Sequence, residues 1–517
     1  MNELNRRQII RGTVGGLMLA WSGKAPAQIT RDARRPTLQQ GVATGDLSTR
    51  GTLVWSRADR PSKMHVSWST HSDHRAPYRV VGPDALSVRD YTAVLGLVDL
   101  PPNRDIFYRI RFEDLSTGAL SAPVNGRFHT PCPQGNRTIK FAWSGDIGGQ
   151  GFGINPTIGG MKIFDAIASA NPDFFLNCGD VVYADAPLRA RKTIGPNKVW
   201  HNLVIPEKMK VAETTDEFRA QFKYNLLDQH LRTLNAQVPT TFLWDDHETK
   251  NNWWPGRILS DRRYTERRCD LLAARAKNAF FEFCPIARNH EQPGRIYRHL
   301  PYGSLLDVFT LDSRSYRSPN SRNRQDQIGS QTHFFGPAQS SWLCASLKKS
   351  RAVWKVIVCP QPIGLQIAHG GTDYDGISNG LMGRPRGREK EFARILSFIR
   401  EHKIKNIVWV TADVHYAAAH HYSPQRSRFK DFDPFWEFLA GPLNAGTFGP
   451  NPLDPTFGPK VEFLSIPNNL RPGRSPLSGM QFFGTGEIDP QNKRFTVSLH
   501  DLTGRILWST QLDAHPS

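Results

Sequence analysis

Cysteine is scarce in this 517-residue chain: there are six, Cys132, Cys178, Cys269, Cys284, Cys344 and Cys359, with no C-x-x-C spacing. That excludes a disulfide-built scaffold and a cysteine-rich zinc module. One bridge remains open to a chain in an oxidising compartment, while Cys178 reads as a buried core thiol. Dense basic runs are lacking too. The nearest, Arg262 to Arg268, is interrupted by Glu266 and flanked by Asp261 and Asp270, and it reads as a solvated helix face. No nucleic-acid-specific binding is expected, although 66 Lys and Arg against 47 Asp and Glu leave a net charge of +19. The excess favours an anionic substrate gathered by the protein's field. The glycine-rich stretch Gly148-Gly149-Gln150-Gly151-Phe152-Gly153 has no G-x-G-x-x-G register opening a helix, which excludes a dinucleotide fingerprint. Long repeats and low-complexity tracts are absent. A hydrophobic content of 39% with 42 Gly and 37 Pro suits a loop-rich globular protein large enough to bury a substantial core.

The amino terminus has the order of an export signal. Arg6-Arg7 is followed by the apolar segment Gly12 to Trp21 and then by Ala25-Pro26-Ala27, an A-x-A cleavage site. The apolar segment is too short for a permanent membrane span. Residues 1–27 are expected to be a twin-arginine signal read by that export machinery. The protein would then be periplasmic or secreted, starting near Gln28.

From Thr37 to Thr130 the pattern is all-β. Short segments rich in β-branched and aromatic residues, Thr52–Arg57, His65–Ser69 and Phe107–Phe112, are separated by turn clusters such as Pro101-Pro102-Asn103. A small sandwich of fibronectin type III or immunoglobulin kind is expected, with Thr130–Gly135 as linker. From residue 137 to 517 strands alternate with helices, which predicts an α/β catalytic domain. The expected helices include a long one opened by the capping box Thr214/Glu217 with Phe218, Phe222, Leu226 and Leu231 on its buried stripe. The tail, Arg494–Leu499 and Arg505–Ser509, predicts a hairpin closing a sheet edge.

The chemistry lies at the ends of four apolar strands. Ile139–Ser144 ends in Gly145-Asp146, and Asp173–Cys178 ends in Gly179-Asp180, with Tyr183 three residues on. Thr240–Trp244 ends in Asp245-Asp246-His247-Glu248, and Asn406–Thr411 ends in Ala412-Asp413-Val414-His415. Carboxylates delivered beyond core strands place chemistry at a sheet edge. Their recurrence, with histidines, points to a metal site. Hard oxygen donors with one or two imidazoles favour Fe, Mn, Ca or Mg over a structural zinc, and a phenolate from Tyr183 would favour Fe(III). Asp245 is expected to orient its neighbour or to exchange places with Asp246. Asn251 and Asn252 are expected to cap a turn or brace the ligands, and His420 and His421 to be loop histidines.

The order Asp146-x-Gly148, Gly179-Asp180-x-x-Tyr183, His247-Glu248 and a late histidine motif resembles the calcineurin-like metallophosphoesterases. Gly-Asp-x-x-Tyr is similar to the purple acid phosphatase variant. The fuller resemblance, over essentially the whole chain, is to the alkaline phosphatase D (PhoD-like) family, some of whose members act as phosphodiesterases or phospholipase D. It is carried also by Gly41–Asp46, by Trp244–Glu248 followed by Asn251-Asn252-Trp253-Trp254, by Leu311–Arg317 and by Ala412–His415. Asp146 stands where some members place a cysteine, Asp246 replaces the Asn of Gly-Asn-His, and Asp413-Val414-His415 is shorter than Gly-His-x-His.

The resemblance implies two central β-sheets flanked by helices, behind the N-terminal all-β sandwich. It implies Fe(III) held by Asp146, Asp180, Tyr183 and His415. A second metal, calcium with manganese, zinc or magnesium as alternatives, would share Asp180 and add Asp246 and Asp413. His247 would protonate the leaving oxygen, and Arg314 would either clamp phosphate or pair with Asp312. The implied activity is alkaline phosphatase D-like hydrolysis of a small phosphate ester, as monoesterase or diesterase, with a phospholipase D-type enzyme as the alternative. For a diester or phospholipid, Trp253, Trp254 and Phe435-Trp436 would line a groove. A reading of another class is a non-catalytic cell-envelope binding protein with a degenerate metal site.

Overall fold

The computed structural model describes residues 35–516, so the expected twin-arginine signal lies outside the described residues. Two mixed sheets dominate. The larger runs Ile506–Leu512, Phe495–Asp501, Phe482–Ile488, Ile139–Ser144, Phe174–Asn177, Thr240–Phe242, Val42–Ser48, Gly51–Arg57, Thr92–Leu97. The smaller runs Arg298–Pro301, Leu306–Thr310, Trp354–Val358, Ile407–Thr411, Phe435–Leu439, Ala418–Tyr422, Pro459–Leu464. Parallel strands form both centres and antiparallel strands the edges.

Period-2 alternation explains the layering. Phe141, Trp143, Leu176 and Cys178 of one sheet and Val356, Val358, Val408 and Val410 of the other share one core between the sheets. Their alternates turn outward: Ala142 and Phe175 pack under Ile163–Ser169, Thr215–Asn225, Gln229–Gln237 and Cys269–Phe283. On the far side, Ile357 and Trp409 pack under Pro337–Lys349 and Glu389–Glu401. Helices therefore flank two facing sheets, as expected. Cys178 is the core thiol it was read to be, and all six cysteines are free. The C-terminal hairpin closes the edge of the larger sheet. Among the described residues no helix is long and apolar enough to cross a membrane.

The N-terminal region is all-β. One of its sheets is a separate four-stranded one, Tyr78–Ala85, Ser62–Ser69, Asp105–Asp114, Val124–His129. The other three strands extend the larger catalytic sheet through a parallel bridge, Gly45 to Thr240. Sequence patterning could not show this continuity, because pairing partners lie nearly two hundred residues apart. Beside the bridge, buried Asp46 accepts two bonds from Arg298, Nη2 at 2.6 Å and Nε at 2.7 Å, and a third from the Ala287 amide at 2.7 Å. Arg298 also donates to the Phe242 carbonyl at 3.0 Å, so one ion pair ties both sheets to the N-terminal region.

Two local expectations change. The capping box forms, but the helix it opens ends at Asn225 and a second begins at Gln229. The Asp228 carboxylate accepts from the His230 and Leu231 amides, and this new cap makes the break. The basic stretch 262–268 is loop, preceding the helix Cys269–Phe283, with Arg263 paired to Asp261 and Arg268 to Glu266.

Asp46→Asn keeps a residue that tolerates the left-handed backbone at φ 50° while removing the charge that Arg298 needs. It is expected to lower stability by about 3 kcal/mol, read as a lower midpoint in chemical denaturation. An unchanged midpoint would show that the two regions do not depend on this clamp.

Candidate metal centre

All four predicted strand ends meet where the two sheets converge. Asp146, Asp180 and Asp246 follow neighbouring strands of the larger sheet, and Asp413 and His415 follow a central strand of the smaller one. Asp146, Asp180, Asp413 and His415 have φ values of 70°, 51°, 68° and 62°. A left-handed residue other than glycine costs on the order of 1–3 kcal/mol and persists only where its surroundings over-determine it. Here they do. The Asp146 amide donates to the Gly179 carbonyl, the Ile147 amide to Asp180, the Leu443 amide to Gly145 and the Ala412 amide to Pro360. Glu248, two residues past Asp246, accepts from the Val181 amide at 2.7 Å and the Asp245 amide at 2.8 Å, locking two of the loops together.

Three donor groups result: Asp146 with Asp180 and His415; Asp180 with Asp246 and His247; Asp245 with Asp246 and Asp413. Within each, the donor atoms lie within 4.8 Å of one another. Asp180 and Asp246 are each shared between two groups, and Asp146, Asp180 and Asp246 are at most 2% exposed. Burial, then the charges of Asp246, Glu248, Asp245 and Asp146, holds the Asp180 carboxyl far above its ordinary range. Burial, then Asp245 and Asp246, does the same to Asp413. Burial likewise pushes Glu248 up to about 8. Oδ2 of Asp146 and Oδ1 of Asp246 are buried without a hydrogen-bond partner among the described residues. Orphaned carboxylate oxygens among mutually repelling carboxylates are what a buried cation relieves, so the donor set fits metal ions.

The imidazoles and the phenol are fixed with equal care. His415 Nδ1 lies 2.5 Å from the Gly446 carbonyl, so it carries the proton there. That leaves Nε2 to accept from the Tyr183 hydroxyl at 2.9 Å and to face Asp146 at 3.4 Å. The Tyr183 ring stacks on His247 with centroids 4.1 Å apart. A Cβ on Gly149 would come within 2.5 Å of that ring. The glycine-rich stretch thus makes room for a tyrosine, and no phosphate cradle is needed to explain it.

His247 Nδ1 lies 2.7 Å from Asp185, a buried carboxylate that also accepts from the Asn251 amide at 2.9 Å. Burial disfavours the imidazolium, but Asp185, Asp246 and Asp245 outweigh it and raise its pKa to about 9. Asp185 was not singled out from the sequence. Its signal was the continuation of Gly179-Asp180-x-x-Tyr183 by a further acid two residues later. The turn Asn251-Asn252 braces the site through its backbone, the Asn252 amide donating to Asp246 at 2.5 Å.

Arg314 sits at the centre with its guanidinium engaged. Nε and Nη2 reach Asp245 at 2.6 and 3.2 Å, Nη1 reaches Asp375 at 2.9 Å, and the side chain is fully buried. Its ion pairs are with Asp245 and Asp375, and Nη2 also lies 3.5 Å from Asp246. Asp312 instead accepts from the Trp244 indole and from the amides of Arg314 and Ser315. Asp245 is tied up by Arg314 and Ser313 beside its neighbour Asp246. The expected aromatic groove does not assemble as a set, although Trp254 stays partly exposed, edge-on to His369 with Arg257 over its ring. Trp253 is buried edge-on against Trp244, and Phe435 and Trp436 pack on Tyr422 and Trp508. His420 and His421 belong to the strand Ala418–Tyr422, where buried His420 contacts Glu437.

Two facing sheets between helices, with this carboxylate and imidazole cluster at their shared end, have the architecture of a metallophosphoesterase. Residues 141–499 match the PhoD-like phosphatase family, and residues 23–132 match its N-terminal domain. The chain belongs to the PhoD-like phosphatase family. It is 24% identical over 482 residues to alkaline phosphatase D of Bacillus subtilis (strain 168), covering 87% of this chain and 77% of that protein. A solved structure titled as that of PhoD superposes with a TM-score of 0.67 at 19% identity, covering 93% of this chain and 94% of the other. A purple acid phosphatase from yellow lupin (Lupinus luteus) seeds superposes at 0.57 with 12% identity, covering 93% and 74%. The last two similarities are of fold.

Asp185→Asn leaves a hydrogen-bond acceptor for His247 but removes the charge that orients and protonates it. Turnover of a phosphate ester is expected to fall about 10–100-fold with unchanged metal content, and the alkaline limb of the rate profile to move to lower pH. Loss of bound metal instead would show that Asp185 serves the ligand set and not His247.

Proposed function

We propose that this protein is an exported, metal-dependent phosphoesterase. Asp146, Asp180, Tyr183 and His415 would hold Fe(III), and Asp180, Asp246 and Asp413 would hold a second, divalent ion, calcium first among the candidates. One observation carries the hydrolytic reading: Asp180 belongs to two adjacent donor groups, and His247, backed by Asp185, is the third member of the second. When bound, a pair of metal ions supplies a nucleophile from water near neutral pH and Lewis-acid stabilisation of the phosphoryl oxygens.

The chain's own residues do the rest. Asp185 accepts at Nδ1 of His247 and keeps the ring charged, so Nε2 presents its proton on the site's side, 3.9 Å from Asp246. That is the position of a general acid for a leaving alkoxide. The Tyr183 ring, stacked on His247, prevents the imidazole from turning away.

The finer substrate reading is a phosphodiester. Arg314, the one arginine foreseen as a phosphate clamp, has its fork committed to Asp245 and Asp375. A monoester dianion would need that additional cation, whereas a diester monoanion does not. Export rests on Arg6-Arg7 and Ala25-Pro26-Ala27.

Purified from its own secretory route, the protein is expected to contain about one iron per chain and to show a broad visible charge-transfer band, lost in Tyr183→Phe. Asp180→Asn is expected to abolish turnover. Colourless protein that still hydrolyses phosphate esters would keep the function and overturn the iron assignment. Bis(4-nitrophenyl) phosphate is expected to be cleaved with higher kcat/KM than 4-nitrophenyl phosphate, and the reverse order would assign a monoesterase. Replacing Arg6 and Arg7 by lysine is expected to leave the protein in the cytoplasmic fraction of expressing cells.

A further inference from the structure

The separate N-terminal sheet has one face in the core and one outside. Met64, Val66, Tyr108, Ile110 and Phe112 point inward and are almost completely buried. Register dictates what the opposite face shows. Arg79 pairs with Ser67, and Ser67 pairs with Arg109 on the next strand. One step along, Val81 pairs with His65 and His65 with Arg111. Three arginines are thus spread over the face at strand and pleat spacing, about 7 Å along the strand and about 10 Å across two strands.

None of the three has an ion-pair or side-chain hydrogen-bond partner among the described residues. The one carboxylate in their groove, Glu113, is taken by His65 at 2.8 Å. The groove measures 660 Å³. The turn before the edge strand walls it, with His74 buried and bonded to Ser67 at 2.8 Å, and so do the exposed side chains of Val81 and Leu120. Burial and the neighbouring Arg109 and Arg79 depress the pKa of His74, which reports an uncompensated positive field. Arg109 and Arg111 stand on one strand and Arg79 two strands away, and the groove's one carboxylate is engaged by His65, so their charge is left without an anion. Positive charge gathered on one face, without a partner and open to solvent, is suited to an anionic ligand.

We propose that this groove binds a polyanionic chain bearing successive phosphate-type groups, with Arg79, Arg109 and Arg111 each taking an anionic group. The apolar wall at Val81 and Leu120 would contact the segments between them. The spread of the cations favours a chain over a single oxyanion, which would meet only one guanidinium at full strength. The groove belongs to the N-terminal sheet, so it would hold such a chain apart from the catalytic centre. The proposal deepens the phosphoesterase reading by naming a polymeric, polyanionic class of ligand, but the binding itself does not depend on that reading.

The test uses full-length protein and fluorescently labelled inorganic polyphosphate, in an Asp180→Asn background so that the probe is not consumed. Arg79→Gln/Arg109→Gln/Arg111→Gln is expected to weaken binding about tenfold or more at low salt. It is also expected to reduce the slope of log affinity against log salt by about 2–3, the count of anionic contacts removed. The single reversal Arg111→Glu is expected to weaken binding by itself. In the otherwise native protein the triple change is expected to leave hydrolysis of 4-nitrophenyl phosphate unaltered. That separates failure of this proposal from failure of the catalytic one. Arg394→Gln/Arg428→Gln/Arg471→Gln, at exposed sites elsewhere, is the charge-matched control. Equal loss in the control, or no binding of polyphosphate, would overturn the proposal in favour of net charge alone. Groove-dependent binding confined to phosphatidylglycerol vesicles would overturn it in favour of a membrane surface.

Discussion

Concentrated, buried negative charge is the constraint on which the rest of this structure depends. Asp146, Asp180, Asp245, Asp246 and Glu248 are each 1–2% exposed, and Asp245 and Asp246 offer donor atoms within 4.8 Å of those of Asp413. Burial first, and then the repulsion of neighbouring carboxylates, drives Asp180 and Asp413 toward the protonated form unless a cation intervenes. A fold that merely tolerated acidic residues would place them on its surface. This one turns the ends of strands from both sheets toward one point and holds four of the side chains there on left-handed backbone. The amide-to-carbonyl bonds that link those strand ends across the two sheets hold the arrangement in place.

The protein's own cations balance only one flank of the cluster. Arg314 lies between Asp245 and Asp375, and Asp375 in turn faces Arg317, whose guanidinium also donates to the Asp375 carbonyl. Arg388 reaches the carbonyls of Ser318 and Asp375 behind them. This network spends its guanidinium groups on the scaffold. Charge balance is completed on the Asp245 side, with Arg314 also 3.5 Å from Asp246, while Asp146 and Asp180 have no arginine or lysine ion pair among the described residues and point to where metal ions belong. The same geometry withdraws Arg314 from substrate, and so bears on which phosphate ester the site prefers.

The N-terminal region shows how domain organisation and charge are joined. Three of its strands continue the catalytic sheet, and a buried Asp46–Arg298 pair anchors the junction. The other four strands form a face on which Arg79, Arg109 and Arg111 stand without ion-pair partners among the described residues. Acidic residues drawn into the centre are not available at the surface, so the net charge of +19 understates how positive the exterior is. The exterior field and the acidic interior are two consequences of one distribution of charge.

Local patterning made much of the fold and of the ligand set legible. The alternation that sends Phe141 and Trp143 one way and Ala142 the other is a property of consecutive residues, as are the apolar run ending in Gly179-Asp180 and the capping box at Thr214. Such signals survive in sequence because each depends only on near neighbours. What depended on chain-distant contact was hidden. The sequence did not disclose that Val42–Ser48 would lie beside Thr240–Phe242, nor that Asp185 would back His247 across 62 residues. The pairing of Arg314 with Asp245 and Asp375, and of His415 Nε2 with the Tyr183 hydroxyl, was equally unreadable. The sequence determined which side chains had the chemistry for a metal centre. Tertiary structure alone decided which carboxylates are neutralised by arginine and which are left for a cation, because charge balance in a buried site is set by distance and solvent exclusion, and neither is written in the order of residues.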